Sequence, residues 1–260
     1  MNIGICEIAY IPLRLGMSHK TEMISQLLFG ETFEILSNRS GWIKIKLLHD
    51  NYEGWIEENS ISILPNDLQT EYSFSDYIVC KNQLDLNILN LKQDISVPTG
   101  SKIPKTSIKS GEFSINCNNY SFNSKELNSD NSDKRQLIVS AAKSLINTPY
   151  LWGGRTSWGI DCSGFAQFLY ATIGMQIPRD ASQQVRTGQT LSFVSEAQAG
   201  DLAFFDNEDG DIIHVGIMLE PGKIIHASGK VKIDNIDHQG IYCKSLKRYT
   251  HNLRVVKNLL

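Results

Sequence analysis

Cys162 lies in the run Asp161-Cys162-Ser163-Gly164-Phe165, after the Gly153-Gly154-Arg155 loop and before a short amphipathic stretch. His214 falls in the alternating apolar run from Ile212 to Leu219, and His226 in the next one, Ile224-Ile225-His226-Ala227. A thiol at a loop-to-helix junction, followed by two strand histidines, is the set that nucleophilic cysteine chemistry needs. A thiol attacks a carbonyl only as thiolate, and free cysteine titrates near pH ~8.5. In the first turn of a helix Cys162 would gain only ~0.3–1 kcal/mol from the helix dipole. One pKa unit is worth ~1.4 kcal/mol, so the dipole moves the thiol by less than a unit. An imidazolium partner is required, and His214 is the expected one.

Strand parity decides whether His226 can help. His214, Gly216 and Met218 point one way from their strand, and Ile213, Val215, Ile217 and Leu219 the other. A two-residue Pro221-Gly222 loop would set His226 opposite Ile217, on the wrong face. A three-residue Glu220-Pro221-Gly222 loop sets it opposite Gly216, diagonal to His214 at ~7–8 Å. The triad therefore demands an odd loop or a bulge, with His226 orienting His214 and fixing its tautomer. Zinc is disfavoured, because one cysteine and two distant histidines lack a close ligand pair. Asp161 would raise the pKa of its neighbour, so it needs another task. It can cap the helix, bind a substrate cation such as a free amino group, or do both.

The elements that carry these residues read as α+β. A helix begins near Asp133, with Leu137, Ala141 and Leu145 on one face and Asn147-Thr148-Pro149 as its stop. A second helix runs from about Cys162 to Tyr170, and a third from Ala181 to about Arg186. Strands follow at Leu202–Phe205, Ile212–Leu219, Ile224–Ala227, Val231–Ile233 and Leu253–Val256. Helices first and an antiparallel meander after them imply helices packed on an antiparallel sheet. Upstream, 1–64 reads as short strands in a small barrel, with Trp42-Ile43-Lys44-Ile45-Lys46-Leu47 alternating at period two. A degenerate second copy is expected over 65–120, around Val97-Pro98-Thr99-Gly100-Ser101-Lys102-Ile103-Pro104. The Asn- and Ser-rich 121–132 reads as a linker and 133–260 as the catalytic domain.

Hydrophobic residues make up 41% of the 260 and charged residues 20%, as in an ordinary soluble protein. A net charge of −3 gives no case for nucleic acid or an anionic membrane. No apolar run approaches the ~18 residues of a membrane span. The N-terminal Met1-Asn2-Ile3-Gly4-Ile5 lacks a basic start and a long apolar block, so it reads as a first strand and not a signal peptide. Five scattered cysteines suit a reducing compartment, and a cytoplasmic location is expected.

Pro149-Tyr150-Leu151-Trp152-Gly153-Gly154, Asp161-Cys162-Ser163-Gly164-Phe165, Pro178-Arg179-Asp180, Gly200-Asp201-Leu202-Ala203-Phe204-Phe205, His214-Val215-Gly216-Ile217 and Ile225-His226-Ala227 together resemble the NlpC/p60 cysteine peptidases. Gly41-Trp42 and Gly54-Trp55-Ile56 resemble bacterial SH3-like domains. The whole chain resembles the γ-D-glutamyl-L-diamino acid endopeptidase branch. That resemblance implies a papain-like catalytic domain behind one or two SH3-like barrels. It implies a cut between D-glutamate and a diamino acid (diaminopimelate or lysine) in murein peptides such as L-Ala-γ-D-Glu-diaminopimelate, with a free N-terminal L-Ala, in peptidoglycan recycling. It implies Cys162 as nucleophile, His214 as base and His226 as orienting residue, with no metal or cofactor. Tyr150 and the Cys162 N–H would hold the oxyanion. Asp161 and Ser163 match positions at the substrate's amine end, and Arg179 and Ser182 a segment lining the cleft. Glu22 and Tyr52 are candidates for the first barrel's share. The remaining histidines, His251 among them, are left as surface or structural residues. Three other readings stay open: an N-acetylmuramoyl-L-alanine amidase, an acyltransferase, and a non-catalytic wall-binding protein.

Overall fold

The protein is described here by a computed structural model covering residues 2–65, 77–127 and 133–260. The chain forms two compact units, Met1–Asp130 and Asn131–Leu260.

In the first unit a seven-stranded antiparallel sheet carries the strands Thr32–Arg39, Trp42–Leu47 and Glu53–Glu57. The alternation of Trp42–Leu47 becomes an alternation of burial, with Ile43, Ile45 and Leu47 inside. They pack with Leu13, Leu27, Phe33 and Ile56 in one apolar cluster. The rest of the unit holds a four-stranded and a two-stranded sheet. Its core is not separate, because Ile3, Ile5, Phe29 and Leu64 join Cys80, Leu84, Leu86, Val97 and Tyr120 in one cluster. The segment expected as a linker from 121 begins inside this unit. The strand Asn118–Ser121 runs into it, and Phe122 and Leu127 are buried in the same core. Residues 128–132 lie outside the described ones.

The second unit starts with α1 (Lys134–Ser144), capped by the Asp133 side chain on the Arg135 N–H. Its buried face is Ile138, Ala141, Ala142 and Leu145, so the stripe is rotated by about one residue from the 137-141-145 spacing expected. α2 spans Cys162–Ala171 and α3 only Ala181–Gln184. After the short strand Gln189–Thr190, which edges the same sheet, come six longer ones: β1 (Leu202–Asp206), β2 (Ile212–Glu220), β3 (Lys223–Ser228), β4 (Lys230–Ile236), β5 (Gly240–Cys243) and β6 (Arg248–Asn258). β5 is absent from the sequence reading, because Gly240-Ile241-Tyr242-Cys243 is too short for a periodic signal.

The sheet closes on itself. The second half of β6 pairs with β1, through Ala203↔Val256 and Phe205↔Leu253, and the first half with β5, through Ile241↔His251. The six strands thus form a closed barrel. Ala203, Phe205, Met218, Ile224, Ile236, Ile241 and Val256, drawn from all six, fill its interior. α2 packs on β2 and β3 from outside. The Gly200-Asp201 pair anchors α1 to the start of β1: Asp201 accepts from Arg135 Nη1 at 2.9 Å and from the Gln198 N–H at 2.8 Å.

Closure leans on one glycine. Gly240 adopts φ 139, and a Cβ there would lie 1.8 Å from the His251 carbonyl oxygen. Gly240→Ala should therefore lower stability by roughly 1–3 kcal/mol, the usual cost of backbone held in a forbidden region. The check is the urea midpoint, which should fall with an unchanged slope.

Candidate active site

Cys162 is the first residue of α2 and is buried. The helix starts there because Asp161, in extended backbone, accepts the Gly164 N–H at 2.7 Å. Gly164 itself is demanded by close packing, since a Cβ would lie 2.4 Å from the Gly154 carbonyl oxygen. The Cys162 sulfur is hydrogen-bonded by the backbone of Ser163 and of Val215 on β2. The thiol thus lies against the residue that follows His214.

The two histidines meet as parity required. The β2–β3 connection is the two-residue Pro221-Gly222 turn, with Glu220 paired to Lys223. A bulge between Met218 and Glu220 then shifts the register, giving Met218↔Ile224 and Ile217↔Ile225. Continued by one pair, this sets His226 opposite Gly216, where a Cβ on Gly216 would come within 3.0 Å of the His226 Cβ. His214 Nε2 and His226 Nδ1 are 2.9 Å apart, and both side chains are buried.

Two residues that the sequence did not assign to the site complete the cluster. Asp234 Oδ2 lies 3.1 Å from His226 Nε2 and 3.1 Å from Lys232 Nζ. In the β3–β4 hairpin His226 pairs with Lys232 and Ile224 with Asp234, so Asp234 is the diagonal neighbour of His226 on the same face. The polar alternation Lys232, Asp234 after the Ser228-Gly229 turn was a signal for it. His251 is no isolated surface residue: its ring stacks on that of His214 with centroids 4.3 Å apart. It reaches that position only because β6 crosses from β5 to β1, and nothing in its local spacing announces this.

Asp161, Ser163 and Arg179 form a second buried cluster. Arg179 straddles Asp161, with Nη1 at 3.1 Å from Oδ1 and Nη2 on Oδ2, and Nη1 also donates to Ser163 Oγ at 2.7 Å. The Gly153 N–H donates to Asp161 Oδ2 at 2.9 Å. With Gly164, these contacts occupy about the four acceptor positions of a carboxylate. The helix-cap reading of Asp161 is therefore observed, and its charge is already matched by Arg179. Tyr150 is half-buried, with Cys162, Asp161 and Arg179 as its electrostatic neighbours. Burial and the first two push its phenol up, so it remains a protonated donor at neutral pH. Ser182 is exposed on α3. Glu22 and Tyr52 belong to the first unit, Glu22 exposed ahead of the strand Met23–Leu28 and Tyr52 packed against that unit's cluster of Ile43, Ile45 and Leu47. Among the described residues no set of three His, Cys, Asp or Glu side chains is arranged to hold a metal ion, and no helix is long and apolar enough to cross a membrane.

Burial governs the electrostatics. It pushes the Cys162 thiol up to about 11, helped by Asp161 and opposed by the Val215 hydrogen bond and Arg179. It also holds His214 well below the usual imidazole range, with His226 and His251 adding to the effect. Both directions favour the uncharged forms, a neutral thiol and a neutral imidazole, over a resting thiolate–imidazolium pair. His214 acts as a general base at the moment of attack. The active form has Cys162 protonated and His214 neutral. Activity, measured as kcat/KM against pH, should keep its acidic limb below pH 6.5 and stay flat well above pH 8.5. An alkaline limb near pH ~8.5, the titration range of an ordinary thiol, would refute the neutral pair.

Residues 147–251 match the NlpC/P60 family, and residues 13–61 match the bacterial dipeptidyl-peptidase Sh3 domain. The gamma-D-glutamyl-L-lysine dipeptidyl-peptidase of Bacillus subtilis is 26% identical over 230 residues, covering 82% of this chain and 75% of that protein. The probable endopeptidase p60 of Listeria seeligeri is 40% identical over 104 residues, which are 40% of this chain and 20% of that one. A crystal structure of an NlpC/P60 family protein from Bacillus cereus shares the fold, with a TM-score of 0.79 at 17% identity over 99% of each chain. The chain therefore carries an NlpC/P60 domain together with a bacterial dipeptidyl-peptidase SH3 domain.

Proposed function

We propose that the protein is a cysteine endopeptidase that hydrolyses the γ-D-glutamyl–diamino acid bond of murein peptides bearing a free N-terminal L-Ala, serving peptidoglycan recycling. The reading rests on one observation above all. A buried thiol at the start of α2 lies against β2, whose His214 is hydrogen-bonded at 2.9 Å to a second buried histidine. The similarity to gamma-D-glutamyl-L-lysine dipeptidyl-peptidases over 82% of the chain supports the choice of bond.

In this mechanism His214 takes the proton of Cys162 as the sulfur attacks the γ-amide carbonyl. The Cys162 N–H and the Tyr150 hydroxyl stabilise the oxyanion. The imidazolium then protonates the leaving diamino-acid amine. Water, activated by the same imidazole, hydrolyses the thioester and restores the thiol. Acylation and deacylation each end with His214 neutral again, which its burial favours.

Asp161, Ser163 and Arg179 are our candidates for the substrate's polar end. A substrate ammonium would bind there by sharing Asp161 with Arg179, so blocking that amine is the informative perturbation. Purified protein should cleave L-Ala-γ-D-Glu-diaminopimelate or its lysine counterpart, and the N-acetylated peptide far more slowly. Equal rates would remove the free-amine requirement, and cleavage of neither would remove the bond assignment. Cys162→Ala should lower turnover by at least ~10³-fold, as loss of a nucleophile does. Retention of turnover by that variant would remove Cys162 as the nucleophile, and absence of any turnover in the wild-type protein would leave only a wall-binding role.

A further inference from the structure

We propose that Asp234 is a fourth member of the histidine relay, a positioning residue that decides which nitrogen of His226 and of His214 carries the proton. The hydrogen bond between His214 Nε2 and His226 Nδ1, at 2.9 Å, holds one proton and can hold it either way round. If His226 donates, its Nε2 is bare and His214 is left with its proton on Nδ1. If His214 donates, its own Nδ1 carries the lone pair and can receive the proton of Cys162. The two arrangements have the same heavy-atom geometry, so neither the strands nor the stacked His251 ring distinguishes them.

Asp234 breaks the tie. Its Oδ2 lies 3.1 Å from His226 Nε2, and its other close partner, Lys232, is a cation. Both hold the carboxyl below the usual range, so at neutral pH it is ionised and can only accept. The Nε2 of His226 must therefore donate to it. Neutral imidazole has a single N–H, so the Nδ1 of His226 must accept from His214. The Nδ1 of His214, the one ring nitrogen that His226 does not engage, becomes the base. When His214 is protonated during attack, the same chain holds the positive charge between two acceptors. Asp234 touches neither thiol nor substrate and acts entirely through His226.

The inference takes His214 as the base, as the proposed function does, but it can be read without a murein substrate. In protein labelled with ¹⁵N-histidine, the imidazole resonances should report Nε2–H for both His214 and His226. Asp234→Ala and the isosteric Asp234→Asn should both populate the Nδ1–H form of His214, since an amide can donate as well as accept. Each should lower kcat by about ten- to a hundredfold with KM nearly unchanged, the range for losing a group that orients an imidazole through its far nitrogen. Alkylation of Cys162 by iodoacetamide at pH 7, followed by peptide mass, should slow by a similar factor. If the tautomers and the alkylation rate match wild type in the folded Asp234→Asn protein, the inference is wrong. Slowed alkylation in a protein that cleaves no murein peptide would instead leave Asp234 in its role and overturn only the substrate assignment.

Discussion

The catalytic unit depends on the parity of one hairpin. Side chains alternate across a strand, so a single residue of slippage in the β2–β3 pairing would send His226 through the sheet to the helix side. The Pro221-Gly222 turn by itself gives that wrong parity, and the bulge before Glu220 reverses it. Gly216 then makes room opposite His226, where a Cβ would press on both Ile224 and the histidine. The meeting of His214 and His226 follows from that one inserted residue, and the regular β3–β4 register then brings Asp234 to the far nitrogen of His226. Bulges next to functional sites commonly re-aim a side chain in this way.

Burial sets the chemistry that the pair can perform. A charged imidazole and a thiolate at rest would both need solvation that this site does not provide, and the helix end contributes too little to replace it. A neutral pair avoids the cost until attack, when the positive charge on His214 forms opposite the oxyanion and behind it lie His226 and Asp234. The ionised carboxylate is thus two hydrogen bonds removed from the base. It can stabilise developing charge without raising the resting pKa of the thiol, as the adjacent Asp161 does.

Asp161 shows how one carboxylate can serve structure and site together. It starts α2 by capping Gly164, ties the Gly153 loop to the helix and binds Arg179, and these three contacts fix the position of the intervening Cys162. Arg179 in turn compensates the Asp161 charge beside the thiol. Buried ion pairs contribute little net stability, but they specify geometry when every partner is satisfied.

Much of this was legible in the residues. Period-two runs located β2 and Trp42–Leu47, the Asp161 cap located the start of α2, and parity alone demanded an odd loop or a bulge before His226. The apolar face of α1 was misplaced by about a residue, because burial there is set by what α1 packs against and not by its own spacing. Asp234 required the β3–β4 register, and His251 required β6 to close the barrel, which no local pattern encodes. The neutral resting state of Cys162 and His214 was hidden for the same reason, since desolvation belongs to the assembled surroundings and not to either residue. Types, spacing and parity thus determined which side chains could meet. Only tertiary structure decided what surrounds them, because long-range closure and burial are collective properties of the folded chain.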